Sequence, residues 1–522
     1  MNQQFDIVLV QPPFCGAYNF WKSECLGMGY LASSLESHGY SVKIIDAFLY
    51  DMSVEETMAE ILRFQPRLLL GFSMLSYELY RSGQEILLRL KNAGMNNVHV
   101  TFGSWFPTFW HETIIDEGVP VDSIILAEGE HSICVLADYI SKGNWHGSEY
   151  FMNLRSYKNV LILEQKSTIS CIDELLYPRR DNLSMVFEKY HFATVYTSRG
   201  CAYSRCTFCS VPSFYKGGLR HRLRSSTNVI GEICEIQKAG VDFVFFTDED
   251  FLGNSDDGSY RAMEIFEGIA NHDFNMRYAF NCTVKGVNKE LFSKLAKLGL
   301  SAVYIGIESN INRSLKRFGK GVRETDILMA TGVLRDLGIK LVPGWIMFER
   351  DTTLEEVEGS IDFLKNLNAY HVNYLKSLYV MQDTPIERLY GDDLYRTYYY
   401  SKYYFKDPRV DLLVRILMND YLPEVMPYTN EIYPIWHRLL AGFGTDEQQC
   451  LFENINSTMR ELSLGFTEDI INRIRKNSLE GLAKELGWQV RQWSRIGSEI
   501  KELSVMVRKN VKQNPYVHKF SA

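Results

Sequence analysis

Two successive series of apolar strands alternating with amphipathic helices run through most of this chain, and that alternation confines it to α/β architectures. The first series extends from Phe5 to about Lys142: FDIVLV, GMGYLASSLESHG, SVKIIDA, SVEETMAEILRFQ, RLLLGFSM, a helix around Glu78 to Gly94, NVHVTFG and SIILAEGE. Strands joined by helices predict a parallel, doubly wound Rossmann-like sheet, which takes its ligands at the carboxyl ends of the strands. Those ends carry Pro12-Pro13, Asp46, Gly71-Phe72-Ser73, Gly103-Ser104 and Glu128-Gly129-Glu130, small or acidic groups that allow close backbone approach. The same residues also serve ordinary turns. The second series starts at Phe192 with FATVYTSRGC and continues through VDFVFFTDEDF, MRYAFNCTV, SAVYIGIES and KLVPGWIMF, each followed by a helical stretch. Repeated units of this kind predict a partial or full (β/α) TIM-like barrel, with its chemistry at the C-terminal strand ends.

At 522 residues the chain exceeds one ordinary core. The expected division is a sheet domain over 1–145, an irregular linker over 146–189, the barrel over 190–375 and a mainly helical C-terminal region over 376–522. That last region opens with the tyrosine-rich LYRTYYYSKYYF from Leu394 to Phe405, which reads as packing for the added helices or as the lining of a substrate entrance. A net charge of −8 argues against nucleic acid held by bulk electrostatics. The first residues show no basic segment ahead of a long apolar core, and the apolar runs at Leu68–Leu75 and Val241–Phe246 are too short to span a bilayer. A cytoplasmic protein without a membrane span is expected.

Three of the ten cysteines, Cys201, Cys206 and Cys209, fall within nine residues just beyond the first barrel strand. Clustered thiolates are soft ligands for iron–sulfur or zinc. Three of them leave one iron of a 4Fe-4S cube without a protein ligand, which suits a site for chemistry; the alternative is a structural Cys3His zinc site completed by His221. The other seven cysteines are dispersed and read as buried or inert thiols.

The order of QPPF, LGMGYLASSLESHGYSVKIIDA, GFS, FGSWFPT and AEGE ahead of a cysteine cluster resembles the cobalamin-binding domain of the B12-dependent radical SAM enzymes. The family often has a second glycine where this chain has Ser104, and a glycine where it has Ala127. The resemblance implies cobalamin contacts at Pro12, Pro13, Asp46, Ser73, Met74, Leu75, Gly103, Ser104, Glu128, Gly129 and Glu130. With no D-x-H-x-x-G motif, it points to Met74 or Leu75 for the lower face of cobalt. A dinucleotide or flavodoxin-like sheet is the structural alternative, weakened by the lack of G-x-G-x-x-G after the first strand.

From about Phe192 to Tyr374 the chain is similar to the radical SAM core, with C-x4-C-x2-C in place of the commoner C-x3-C-x2-C. The resemblance implies that Cys201, Cys206 and Cys209 hold a 4Fe-4S cluster. It also implies S-adenosylmethionine contacts at Phe208, at Thr247, Asp248, Glu249 and Asp250, at Asn281 and Thr283, and at Glu308 and Ser309. The acidic run serves equally as a helix N-cap. Arg222 and Arg224 resemble an R-x-R pair of the family, with packing as the other reading. The activity implied is radical C-methylation of an unactivated carbon in a small-molecule or peptide substrate, using an external donor of flavodoxin or ferredoxin type. The alternatives are a cobalamin-dependent oxidation, cyclisation or rearrangement, and a non-catalytic binding protein.

Overall fold

The computed structural model describes residues 4–16, 22–143, 152–165, 168–215, 221–253, 256–272, 274–367, 369–370, 374–397 and 400–512. The first series folds as expected into a parallel sheet. Strands β1 (Ile7–Gln11), β2 (Val42–Asp46), β3 (Leu69–Ser73), β4 (His99–Gly103) and β5 (Ser123–Leu126) alternate with helices α1 (Leu26–Ser37), α2 (Val54–Phe64), α3 (Tyr77–Asn92), α4 (Trp105–Asp116) and α5 (Glu130–Lys142). The strand order β2-β1-β3-β4-β5 leaves α1 and α5 on one face and α2, α3 and α4 on the other, over separate apolar cores. Capping confirms the local signals. Ser53 and Glu56 close a reciprocal capping box at the start of α2.

The segment expected to be an irregular linker departs from that reading. Strands β6 (Met152–Tyr157) and β7 (Val160–Gln165) form a hairpin that extends the first sheet, β7 lying parallel to β5 and β6 antiparallel at the edge. Helix α6 (Leu183–Tyr190) follows and leads into the barrel.

The barrel is partial. Strands β8 (Ala193–Val195), β11 (Phe243–Phe246), β12 (Arg277–Cys282), β13 (Leu300–Glu308) and β14 (Lys340–Trp345) make one parallel sheet in the order β14-β13-β12-β11-β8, and a parallel bridge from Phe348 to Ser377 prolongs it. Between β8 and β11 the chain makes a small antiparallel pair, β9 (Ser198–Gly200) with β10 (His221–Leu223), around the short helix α7 (Val211–Phe214). Helices α8 (Ser226–Lys238), α9 (Asp256–Ala270), α10 (Lys289–Lys297), α11 (Asn312–Arg317), α12 (Glu324–Asp336) and α13 (Leu354–Asn366) cover the outside.

The C-terminal region is not independently packed. After α14 (Pro385–Tyr390), the hairpin β15 (Leu394–Thr397) with β16 (Tyr400–Tyr403), and helices α15 (Pro408–Ile416) and α16 (Leu422–Asn430), the short α17 (Tyr433–Leu440) seals the N-terminal mouth of the barrel. His437 of α17 stacks on Phe192 at 4.2 Å, and Arg438 pairs with Asp242 at 3.2 Å. Helices α18 (Asp446–Arg475) and α19 (Leu482–Lys512) continue the same apolar core, which runs unbroken from Leu183 to Val507. The tyrosine-rich run lies in the β15–β16 hairpin. Its Tyr403 donates to the Leu378 carbonyl at 3.0 Å, while Tyr395 and Tyr404 stack on each other at the surface. Tyr398 and Tyr399 lie outside the described residues.

Candidate active site

The two sheets present their strand ends to one another across a cavity of about 270 Å³. One wall comes from the first sheet: Gly71 and Ser73 of β3, Gly103 at the end of β4 with Ser104 just beyond it, and Ala127 to Glu130 after β5. The other comes from the barrel: Thr194 and Tyr196 at β8, Arg199 on β9, and Thr247 at β11. Aromatic rings close the sides, with Phe214 stacked on Trp105 at 4.2 Å.

The first-sheet wall is built for close approach of a flat ligand. A Cβ at Gly71 would sit 3.0 Å from Leu9, and one at Gly129 3.1 Å from Leu31. Ser104 and Ala127 hold φ of +84° and +58°. A side chain at such angles is strained, so the backbone keeps a glycine conformation at the two positions where the family resemblance expects glycine.

Of the expected cobalamin contacts, Ser73, Leu75, Gly103, Ser104, Glu128, Gly129 and Glu130 line the cavity, and Leu75 is half exposed there. Met74 does not; it is fully buried in the sheet core with its methyl against Gly83. Pro12 packs against that same glycine and Pro13 accepts a hydrogen bond from Ser82, so both shape the turn after β1 rather than the wall. Asp46 also lies off the wall, its Oδ1 accepting from the Leu49 amide at 3.0 Å. Cys25, absent from the sequence expectation, lines the cavity 4.0 Å from the Ser73 hydroxyl, and burial pushes its thiol up to about 12.

On the barrel side, Cys201, Cys206 and Cys209 are half-buried in the loop between β9 and α7, all as free thiols. Burial raises all three, Cys209 to about 12. Lys320 faces them. Burial alone would lower its ammonium, but Glu308 and the three sulfurs outweigh that and hold it high. Its Nζ lies 3.6 Å from Glu308 Oε1. Glu308 sits at φ +67° where the β13–β14 register shifts, and a Cβ at neighbouring Gly306 would strike its carboxylate at 2.5 Å. This bulge aims the carboxylate into the site.

The acidic run after β11 divides its labour. Asp248 is fully buried and accepts from the Thr197 amide at 2.9 Å and the Ser198 hydroxyl at 2.6 Å, so it braces the strand leading into the cysteines. Asn281 supports that loop by donating to the Asp248 carbonyl at 2.7 Å, and Thr283 caps its own turn through Gly286. Asp250 is also fully buried, yet neither carboxylate oxygen has a hydrogen-bond partner among the described residues, and burial pushes it up to about 6. Glu249 is raised to about 7 by burial and faces Tyr196 and Tyr215. Phe208 packs edge-on against Phe318, and Ser309 accepts from the Ile311 amide.

These features fit the groups that the resemblance implies. The orphaned Asp250 carboxylate offers acceptors to an ammonium beside the thiols, and Lys320 supplies positive charge facing sulfurs that would ligate as thiolates. No three His, Cys, Asp or Glu side chains among the described residues close on one point as ligands of a single ion do, so the tetrahedral alternative with His221 is not assembled. Sequence reasoning missed Lys320, although the signal was present. Gly319 and Gly321 flank it at φ of +66° and +64°, and a Cβ on Gly319 would meet the Arg205 carbonyl at 2.6 Å.

A parallel sheet docked by its strand ends over the open end of a thiol-bearing partial barrel, with one cavity between them, defines a cofactor-dependent barrel enzyme. The B12 binding domain model matches residues 23–137 and that of the Radical SAM superfamily matches residues 195–364. An uncharacterized methyltransferase of Pyrococcus horikoshii is 28% identical over 355 residues, covering 67% of this chain and 74% of the relative. The 4'-phospho-dehydrooxetanocin synthase of Priestia megaterium is 26% identical over 370 residues, covering 64% of this chain and 48% of its own. The structure of the cobalamin-dependent S-adenosylmethionine radical enzyme OxsB with aqua-cobalamin bound shares the fold, with a TM-score of 0.73 at 20% identity over 98% of this chain and 81% of that one. The chain belongs to the cobalamin-dependent radical SAM enzymes, and its cofactors are a 4Fe-4S cluster, S-adenosylmethionine and cobalamin. Its reaction takes a small-molecule substrate and a reductant. Among the described residues no helix is long and apolar enough to cross a membrane.

Proposed function

We propose that this enzyme methylates an unactivated carbon of a small-molecule or peptide substrate held in the cavity between the two sheets. The observation that carries the reading is that one cavity has both walls: strand ends of the cobalamin-binding sheet and barrel strand ends adjoining the cysteine loop. When bound, the cluster with S-adenosylmethionine supplies a 5'-deoxyadenosyl radical and cobalamin supplies a methyl group.

The chain's own residues position and exclude. Cys201, Cys206 and Cys209 hold the cluster, Asp250 accepts from the S-adenosylmethionine ammonium, and Lys320 with Glu308 fixes charge beside them. Thr247, Ser309 and Asn281 set the shape of the strand ends. Ser73, Leu75, Gly103, Ser104 and Gly129 form the floor for the corrin. Tyr196, Tyr215, Trp105 and Phe214 line the remaining space and keep water from it. The electron comes from an external flavodoxin- or ferredoxin-type donor in a reducing, cytoplasmic setting, in keeping with ten free cysteines.

Radical cyclisation or rearrangement without methyl transfer is the second reading, favoured by the likeness to a synthase. The test is anaerobic turnover with S-adenosylmethionine labelled in its methyl group. Labelled product appearing with S-adenosylhomocysteine and 5'-deoxyadenosine is the expected result; consumption of substrate with 5'-deoxyadenosine but no label in product overturns methyl transfer. Cys206→Ala is expected to abolish the cluster absorbance and 5'-deoxyadenosine formation together.

A further inference from the structure

The cysteine loop is the long turn of an antiparallel hairpin. Strand β9 leads into it and β10 leads out, with Arg199 and Arg222 directly opposite one another. Both guanidiniums reach across the domain boundary. Arg199 donates to Glu128 at 2.6 Å and to Glu130 at 2.5 Å, and Arg222 donates to Glu128 at 2.9 and 3.0 Å and to the Ile169 carbonyl at 2.6 Å. Glu128 and Glu130 follow β5 of the cobalamin-binding sheet, and both line the cavity. All four side chains are buried, Arg222 being 2% and Glu128 5% exposed.

A second bridge runs parallel to the first. Glu24, another cavity residue, accepts from Arg180 at 3.0 Å; Arg180 also donates to Glu232 at 2.5 Å. Glu232 in turn accepts from Arg224, whose amide donates to the Thr197 carbonyl at 2.9 Å just before β9. Both strands of the hairpin stem are therefore tied to carboxylates of the other domain.

Buried ion pairs contribute little net stability compared with apolar packing, but removing one partner strands a charge in low dielectric. Such a network enforces an arrangement more than it strengthens a fold. It is also incompletely satisfied: Arg222 Nε and Nη2 and Glu130 Oε2 have no hydrogen-bond partner among the described residues. That spare capacity lets the network re-pair when the loop after β5 shifts.

We propose that Glu128, Arg199 and Arg222, with Glu130, are positioning residues that couple the two cofactor sites. A corrin seated against Gly129 fixes the loop after β5, and the guanidiniums transmit that geometry to the stem carrying the three thiols. By linkage the coupling is reciprocal, so an assembled cluster tightens the cobalamin site. The inference rests on the cofactors and stands whichever group the enzyme transfers.

The test uses the full chain and hydroxocobalamin, titrated anaerobically before and after reconstitution with iron and sulfide. Cluster-loaded protein is expected to bind hydroxocobalamin about tenfold more tightly than cluster-free protein. Hydroxocobalamin is also expected to shift the g-values of the reduced cluster. In Glu128→Gln and Arg222→Lys both effects collapse, the first to less than about twofold, while iron content and the circular dichroism spectrum stay as in the parent. Glu130→Gln keeps an acceptor for Arg199 and serves if the Glu128 variant does not fold. Equal affinities with and without cluster in the parent chain overturn the proposal, as does full coupling in variants that fold.

Discussion

Asp46 ends β2 with Oδ1 bonded to the Leu49 amide and Oδ2 buried without a partner, and burial pushes its carboxyl up to about 7. In the unfolded chain it titrates near 3.8. Below that value the group is neutral in both states and has no effect on stability. As pH rises toward 7 the unfolded chain releases a proton that the folded one retains, and stability falls by at most about 4 kcal/mol. Above 7 the penalty is constant. Asp46→Asn keeps the acceptor for Leu49 and is expected to raise the urea midpoint at pH 8 while leaving it unchanged at pH 4; an equal gain at both would show that charge is not the cause. At this scale the sequence was read unevenly. The cysteines were legible because three thiols so close have few uses. Asp248 and Asp250 were not told apart, since which carboxylate turns inward is decided by Thr197 and Ser198, some fifty residues away.

The element that holds the cysteine loop from behind is the Gly-Lys-Gly turn after α11. The Thr207 amide donates to the Phe318 carbonyl at 2.9 Å, Thr207 Oγ1 to the Arg317 carbonyl at 2.8 Å, and Tyr203 to the Gly319 carbonyl. Gly319→Ala places a methyl 2.6 Å from the Arg205 backbone at a left-handed φ, a strain of about 1–3 kcal/mol that falls on the loop. Iron bound after reconstitution and 5'-deoxyadenosine formation are expected to drop several-fold with the circular dichroism spectrum unchanged; full iron loading would show that the clasp is dispensable. The alternation of strands and helices was legible because apolar periods of 2 and 3.6 differ over short windows. The β6–β7 hairpin was not. Its turn places Lys158 and Asn159 at φ of +46° and +68°, the conformation that Asn-Gly usually announces, and Lys-Asn gives no such signal.

Across the whole molecule the cores assign the units differently from the chain's texture. Barrel and C-terminal helices share one core, so residues beyond 375 complete the barrel rather than decorate it. The first sheet keeps its own two cores, and its limit is set by strand pairing. A boundary at 145, where the polar stretch begins, removes β7 and leaves β5, Ser-Ile-Ile-Leu with every residue buried, as a bare edge. Unpaired apolar edges template association between copies. With the hairpin retained, β7 covers β5, and the outermost strand β6 exposes Asn153, Arg155 and Ser156 alongside Leu154 and Tyr157, so that a charge interrupts its apolar residues. A chain ending at 165 is expected to be monomeric by light scattering and to unfold cooperatively in urea, whereas one ending at 145 is expected to self-associate. Two equally monomeric fragments would mean that the hairpin belongs to the connection after all. The longer fragment still lacks the barrel wall of the cavity, including Thr194, Tyr196, Arg199 and Thr247. It is therefore expected to hold hydroxocobalamin more weakly than the full chain, because only one of the two surfaces that enclose the site remains.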